Sequence, residues 1–295
     1  MIGVKLQTAF RKNSKGARGE IALFRAFISA FDALGGEALA KEYHGSRYQV
    51  TFDEGRGAGR PVPRCELCDV MIVSYPKGNP WAARVTFNQA KVAGSAFHCS
   101  WSPASHGPYR FRANLEQWDL LSNRPSINPA TATFSPPAGL LKDALLPSVG
   151  SFGVFYPSAG GFEFAYFVAN ALTPLNNSPS RSGTLEWDTP ISKVRRVGNH
   201  DEVLGTCCLQ YFGDGIEGGY IGTPLTQLLN GTPGSQQSRA WIAQILVSLR
   251  SEYPESSLPS ELIEGLELRA GLGDEYRALV GGGYSSPRAV VLIRT

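Results

Sequence analysis

Apolar residues recur at intervals of three and four between Gly16 and Leu34, where Ile21, Phe24, Phe27, Ile28, Phe31 and Leu34 share one face. That period predicts an amphipathic helix, started by a cap at Asn13 or Ser14 and stopped by Gly35-Gly36. The pattern then shortens. From Arg47 to Phe52 the β-branched and aromatic residues Tyr48, Val50, Thr51 and Phe52 predict a strand, and the glycines and prolines from Asp53 to Pro63 predict a loop. The run CDVMIVSY, Cys68 to Tyr75, is apolar throughout and too short for a helix, which predicts a buried strand. A turn at PKGNP separates it from the next predicted strand, Ala83 to Val92.

A helix is expected from Leu115 to Ser122, and two strands, Ser151 to Tyr156 and Phe162 to Ala169, around the Gly160-Gly161 turn. Farther on, Trp241, Ile245, Leu246 and Leu249 mark the apolar face of a long helix, Gln236 to Tyr253. A shorter helix near Ser260 to Ala270 and an apolar strand, Ala289 to Ile293, close the chain. Helices interleaved with strands define an α/β protein with a central mixed sheet flanked by helices. The polar stretch NNSPSRSG after Leu175 divides the expectation in two. Residues 1–175 form a core and residues 176–295 a C-terminal α+β elaboration, or the stretch is a long loop within one domain.

Composition narrows the classes. Lys plus Arg number 28 against 25 Asp plus Glu, a net charge of +3, which excludes a polybasic arm or an acidic tail but not a local basic cleft. No run of about 18 apolar residues appears, so no membrane span is expected. Five cysteines, an odd number with Cys207 and Cys208 adjacent, make poor material for a disulfide framework and predict reduced thiols in a cytoplasmic protein. Cys65 and Cys68 lack a second pair at zinc spacing, even with His98 and Cys99 considered, and read as buried thiols. Neither G-x-S-x-G nor a P-loop is present. Lys193, Arg195, Arg196 and His200 form either a phosphate-contacting patch or a solvated strand edge.

The chemistry concentrates in RCELCDVMIV and RVTFNQAK. Asp69 opens an apolar strand, where an ionised carboxylate needs water, a partner or a metal. Gln89 and Lys91 lie two apart on the next strand and so face the same way. An acid, an amide oxygen and an ammonium on neighbouring strands can hold a divalent ion through Asp69 and Gln89 while Lys91 steadies a water or a phosphate oxygen. Glu20 precedes Phe24 by four residues and Phe27 by seven, which sets it on the apolar face of the first helix.

These elements resemble the PD-(D/E)xK nuclease superfamily: Glu20 in RGEIALFRAF, Asp69 in CELCDVMIV, and Gln89 with Lys91 in NQAK, over about residues 14 to 170. The Q-x-K form is similar to that of some Mrr-type restriction enzymes, and Cys68 stands where the pattern has Pro. The resemblance implies a restriction-endonuclease-like core and a nuclease, with DNA the first choice of substrate and RNA the alternative, active in restriction or antiviral defence. It implies Mg2+ or Mn2+ held by Asp69, Gln89 and Glu20, with Lys91 positioning the attacking water, and a homodimer as a common assembly. Arg56, Arg60 and Arg64 in and beside the glycine-rich loop are candidate contacts to the nucleic-acid backbone. Because Gln89 replaces an acid, a rival expectation is a fold that binds nucleic acid or protein with its chemistry lost, or that awaits an activator protein.

Overall fold

The structure, a computed structural model, describes residues 1–43, 48–57, 62–99, 108–176, 180–188, 193–268 and 286–295. Its helices are α1 (Ile2–Asn13), α2 (Gly19–Ala30), α3 (Leu115–Asn123), α4 (Leu209–Glu217), α5 (Leu225–Leu229), α6 (Ser235–Glu252) and α7 (Leu258–Gly265). The strands of the first half are β1 (Ala38–Glu42), β2 (Gln49–Thr51), β3 (Arg64–Glu66), β4 (Val70–Tyr75), β5 (Arg84–Val92), β6 (Tyr109–Asn114), β7 (Asn128–Pro129), β8 (Gly150–Ser158) and β9 (Gly161–Val168). Those that follow are β10 (Thr173–Pro174), β11 (Ser182–Trp187), β12 (Val194–Val197), β13 (His200–Val203), β14 (Gly205–Thr206), β15 (Thr223–Pro224) and β16 (Ala289–Arg294).

The central sheet runs β1-β16-β4-β5-β8-β9-β14, with β15 also paired to β5. It is mixed: β4 and β5 form an antiparallel hairpin, and β5 lies parallel to β8, with Gln89 opposite Phe152 and Lys91 opposite Val154. Every residue of β4 is buried, because strands flank it on both sides and helices cover the sheet. That is why its sequence is a continuous apolar run without alternation. On one face Phe10 of α1 stacks on Phe155, and Phe27 of α2 stacks on Phe164 with ring centroids 4.7 Å apart. On the other face Trp241 of α6 packs on Phe87, and Phe111 of β6 packs on Phe152.

Strand β16 lies between β1 and β4, antiparallel to the first and parallel to the second. Its last arginine is fastened at both sides, since Arg294 donates to Glu37 and to Glu261, and Tyr75 also donates to Glu261. Strands from either side of residue 175 therefore share one sheet.

Several expectations are corrected in detail. The amphipathic segment is divided: α2 begins at Gly19 with Arg18 at its cap and no side-chain cap bond, and a 3-10 segment, Phe31–Glu37, follows it. Asn13 is instead the last residue of α1, a helix that the polar Lys5, Gln7 and Thr8 concealed. Ile21 is 57% exposed, and the buried face is built from Leu23, Phe24, Ala26, Phe27, Ile28 and Ala30. Gly35 breaks the helical geometry inside that 3-10 segment, with φ of 60°, a conformation that favours glycine.

The thiol expectation is overturned as well. Cys99 and Cys207 form a disulfide across 108 residues of sequence, while Cys65, Cys68 and Cys208 are free and buried. Counting cysteines failed here because pairing depends on which two sulfurs the fold brings together. A chain ending before Ala289 leaves the facing edges of β1 and β4 unpaired inside the sheet. We expect it to lose cooperative unfolding, read by circular dichroism during urea titration. Retention of a native transition would show that β16 is dispensable.

Candidate metal-binding and catalytic site

Asp69 sits immediately before β4, where its backbone N–H donates to the Asn88 carbonyl at 3.0 Å and continues the hairpin by one residue. Its side chain is 5% exposed, and both carboxylate oxygens are engaged. Oδ2 accepts the Ala90 N–H at 2.8 Å, and Oδ1 accepts Arg288 Nη1 at 3.1 Å. Gln89, across the hairpin, is fully buried. Its Nε2 donates to the Glu66 carbonyl at 3.3 Å, while Oε1 meets no hydrogen-bond partner among the described residues. A buried amide oxygen left that way costs about 1–3 kcal/mol, and it is an oxygen donor of the kind a hard divalent ion accepts.

Lys91 is next on the strand. Its ammonium donates to the Ala90 carbonyl at 2.7 Å and stands 3.6 Å from Glu20 Oε1. Glu20 occupies the first turn of α2, and its side chain is 45% exposed, at the rim of the apolar face rather than within it. Partial burial pushes its carboxyl above the ordinary value, Lys91 pulls it down, and the charge of Asp69 pushes it up again. The four residues expected from the sequence thus gather at one end of the β4-β5 hairpin, beside the start of α2.

Two further charged groups belong to this cluster. Glu66, the last residue of β3, is held above its usual carboxylate range by burial and by Asp69, against the opposing pull of Arg288 and Lys91. It lies three residues before Asp69 in RCELCD, so a search for acids near the strand start could have found it. Arg288 could not have been found that way, since 219 residues separate it from Asp69. Its guanidinium lies 5.4 Å from the Phe24 ring, which holds the cation over α2 and against Asp69. Tyr48 is nearby too; burial raises its phenol, and the charges of Arg288 and Glu66 act on it in opposite directions.

The candidate arginines of the glycine-rich loop are placed differently. Arg64 belongs to β3 and donates to Gln49 at 2.7 Å, Arg56 is exposed, and Arg60 lies outside the described residues. The loop is tied to α3 through Gly57 N–H on Asp119 and Asn123 on the Gly55 carbonyl. In the β12-β13 hairpin, Arg195 pairs with buried Glu202 and Arg196 approaches Asp201, so that patch is largely self-neutralised.

Among the described residues, the only group of His, Cys, Asp or Glu whose ligand atoms all lie within 4.8 Å is Cys99, Cys207 and Cys208. The carboxylates of Glu20, Glu66 and Asp69 do not draw that close together. No helix of the described residues is long and apolar enough to cross a membrane. Comparison with protein-family models, curated proteins and solved structures finds no match for this chain.

The raised carboxyl of Glu66 has a consequence for stability. The folded state binds its proton more tightly than the unfolded chain, so the group costs stability once pH rises above the unfolded value of about 4.3. Glu66→Gln removes that cost. We expect a higher thermal midpoint than the parent protein at pH 8, with the gap closing toward pH 4, measured by scanning calorimetry. A gap that widens on acidification would reverse the sign of the argument.

Proposed function

We propose that this protein is a metal-dependent phosphodiester hydrolase, a nuclease with a PD-(D/E)xK-like core. The observation that carries the reading is the convergence of Glu20, Asp69, Gln89 and Lys91 from α2, the start of β4 and β5 onto one hairpin end. The order α2, β1, β4, β5, α3, β8 supports it, as does the parallel pairing of β8 with β5. The departure is β16, which stands between β1 and β4.

Asp69 and the orphaned Gln89 Oε1 suit a hard divalent ion such as Mg2+ or Mn2+, with Glu20 alongside, and the guanidinium of Arg288 already satisfies Asp69 Oδ1 as a cation does. A bound divalent ion supplies Lewis acidity toward a phosphate oxygen and a more acidic water. Lys91 holds its ammonium where negative charge builds on phosphorus, and Glu20 fixes that ammonium by pairing with it. Asp69 keeps the end of β5 in register through the Ala90 N–H. Gln89 brings no charge to the cluster, and Glu66 is an acid close enough to make up the difference. Double-stranded DNA is the first substrate to examine, RNA the second.

The Asp69–Arg288 pair favours a second reading, a nuclease-like module that binds nucleic acid or a protein partner without cutting, or that is activated when a partner displaces Arg288.

With Mg2+ or Mn2+ the purified protein is expected to nick or degrade DNA in a gel assay, and Lys91→Ala to reduce the rate by at least about 100-fold. Asp69→Asn should do the same while keeping the Ala90 contact. Full activity in either variant defeats the site assignment, and binding without cleavage under any metal favours the second reading. Gln89→Glu adds a carboxylate to the cluster. It should tighten Mn2+ binding, seen by isothermal titration calorimetry, and an unchanged affinity would remove Gln89 from the ligand set.

A further inference from the structure

The sulfurs of Cys99, Cys207 and Cys208 lie within 4.8 Å of one another, and none of the three belongs to the carboxylate cluster. Two of them form the disulfide, and the third is a free thiol. Cys208 follows Cys207 directly in the chain, and its sulfur turns toward the pair rather than away from it. Three thiolates around one tetrahedral Zn2+ at about 2.3 Å each stand about 3.8 Å apart, a spacing inside the 4.8 Å that encloses the three sulfurs and one that Cys99 and Cys207 reach only when their bond is broken. Cys207 and Cys208 are buried, whereas Cys99 is exposed, so the cluster reaches solvent at Cys99.

The surroundings of Cys208 point the same way. It is the N-cap residue of α4, a helix of nine residues. Burial pushes its thiol up to about 11, against the opposing pull of the Tyr211 and Gln210 backbone N–H groups at the helix start. A bound cation supplies the opposing charge that a buried thiolate needs. Burial raises the thiols of Cys65 and Cys68 as well, and nearby acids raise both further, with no opposing backbone N–H.

We propose that Cys99, Cys207 and Cys208 form a three-thiolate site for a thiophilic divalent ion of the Zn2+ class, closed when Cys99 and Cys207 are oxidised and opened by reduction. A thiol or phosphine reductant delivers two electrons, the S–S bond breaks, and two protons convert the sulfurs to thiols. Metal binding then releases three protons, one from each cysteine, and three S–metal bonds form. The metal takes over the crosslink that the disulfide provides, joining the segment that leaves β5 after Val92 to the start of α4.

Co2+ serves as the probe, because thiolate-to-cobalt charge transfer reports sulfur ligation directly. The full chain, reduced with a phosphine and freed of metal, should take up one Co2+ with a near-ultraviolet band, and Zn2+ should displace it. The oxidised chain should give no such band. Cys208→Ser retains the disulfide and the fold, and after reduction should bind Co2+ at least about tenfold more weakly. The double variant Cys65→Ser with Cys68→Ser should bind as the parent does.

Any of several results overturns the site: no band in the reduced parent, the same band in the oxidised chain, or full binding by Cys208→Ser. A reduced chain that unfolds and is not refolded by Zn2+ overturns it too. None of these measurements depends on nucleic-acid cleavage, so the proposed nuclease activity can fail while this site stands.

Discussion

Asp69 is a buried carboxylate that could not remain where it is without its two partners. Moving such a group out of water is expensive, and breaking a buried ion pair by removing one member costs about 3 kcal/mol or more. The Ala90 N–H and the Arg288 guanidinium meet that demand, and in doing so they join three distant parts of the chain. One bond fixes the end of β5 against the start of β4. The other draws in Arg288, which directly precedes β16, the strand that fills the space between β1 and β4. The sheet and the charged cluster are therefore parts of one arrangement.

Around Asp69 the charges are balanced only in part. Glu20 and Glu66 both hold their protons more firmly than carboxylates in water, because burial and mutual repulsion outweigh the attraction of Lys91 and Arg288. Such a cluster gains by taking up another positive charge, whether a metal ion or a displaced side chain. The pairing of Lys91 with half-exposed Glu20 is worth at most about 1 kcal/mol, little enough for the ammonium to exchange it for another partner. Gln89 lowers the negative charge of the group by one relative to an acid, which limits how strongly it can attract a divalent ion.

The elements with strong local periodicity were legible from the sequence: the all-apolar β4, the long helix α6 with Trp241, Ile245, Leu246 and Leu249 buried, and the closing strand β16. So was the gathering of Glu20, Asp69, Gln89 and Lys91, since three of them lie on a hairpin whose short turn brings them close. Helix α1 was not, because exposed Val4 blurs its apolar face and only Gly3, Leu6 and Phe10 are buried. Nor was the pairing of Cys207 with Cys99, because nothing local connects the two.

What the sequence determined by itself is everything that depends on neighbours along the chain: period, turn chemistry, and the spacing of Gln89 and Lys91 on one strand. What the tertiary structure decided depends on pairs that no local pattern encodes. Arg288 meets Asp69, Cys99 meets Cys207, and β16 enters the sheet between two strands made more than 200 residues earlier. The physical reason is that a buried charge, a free sulfur and an open strand edge each require a partner, and the chain can supply that partner from any distance once it folds.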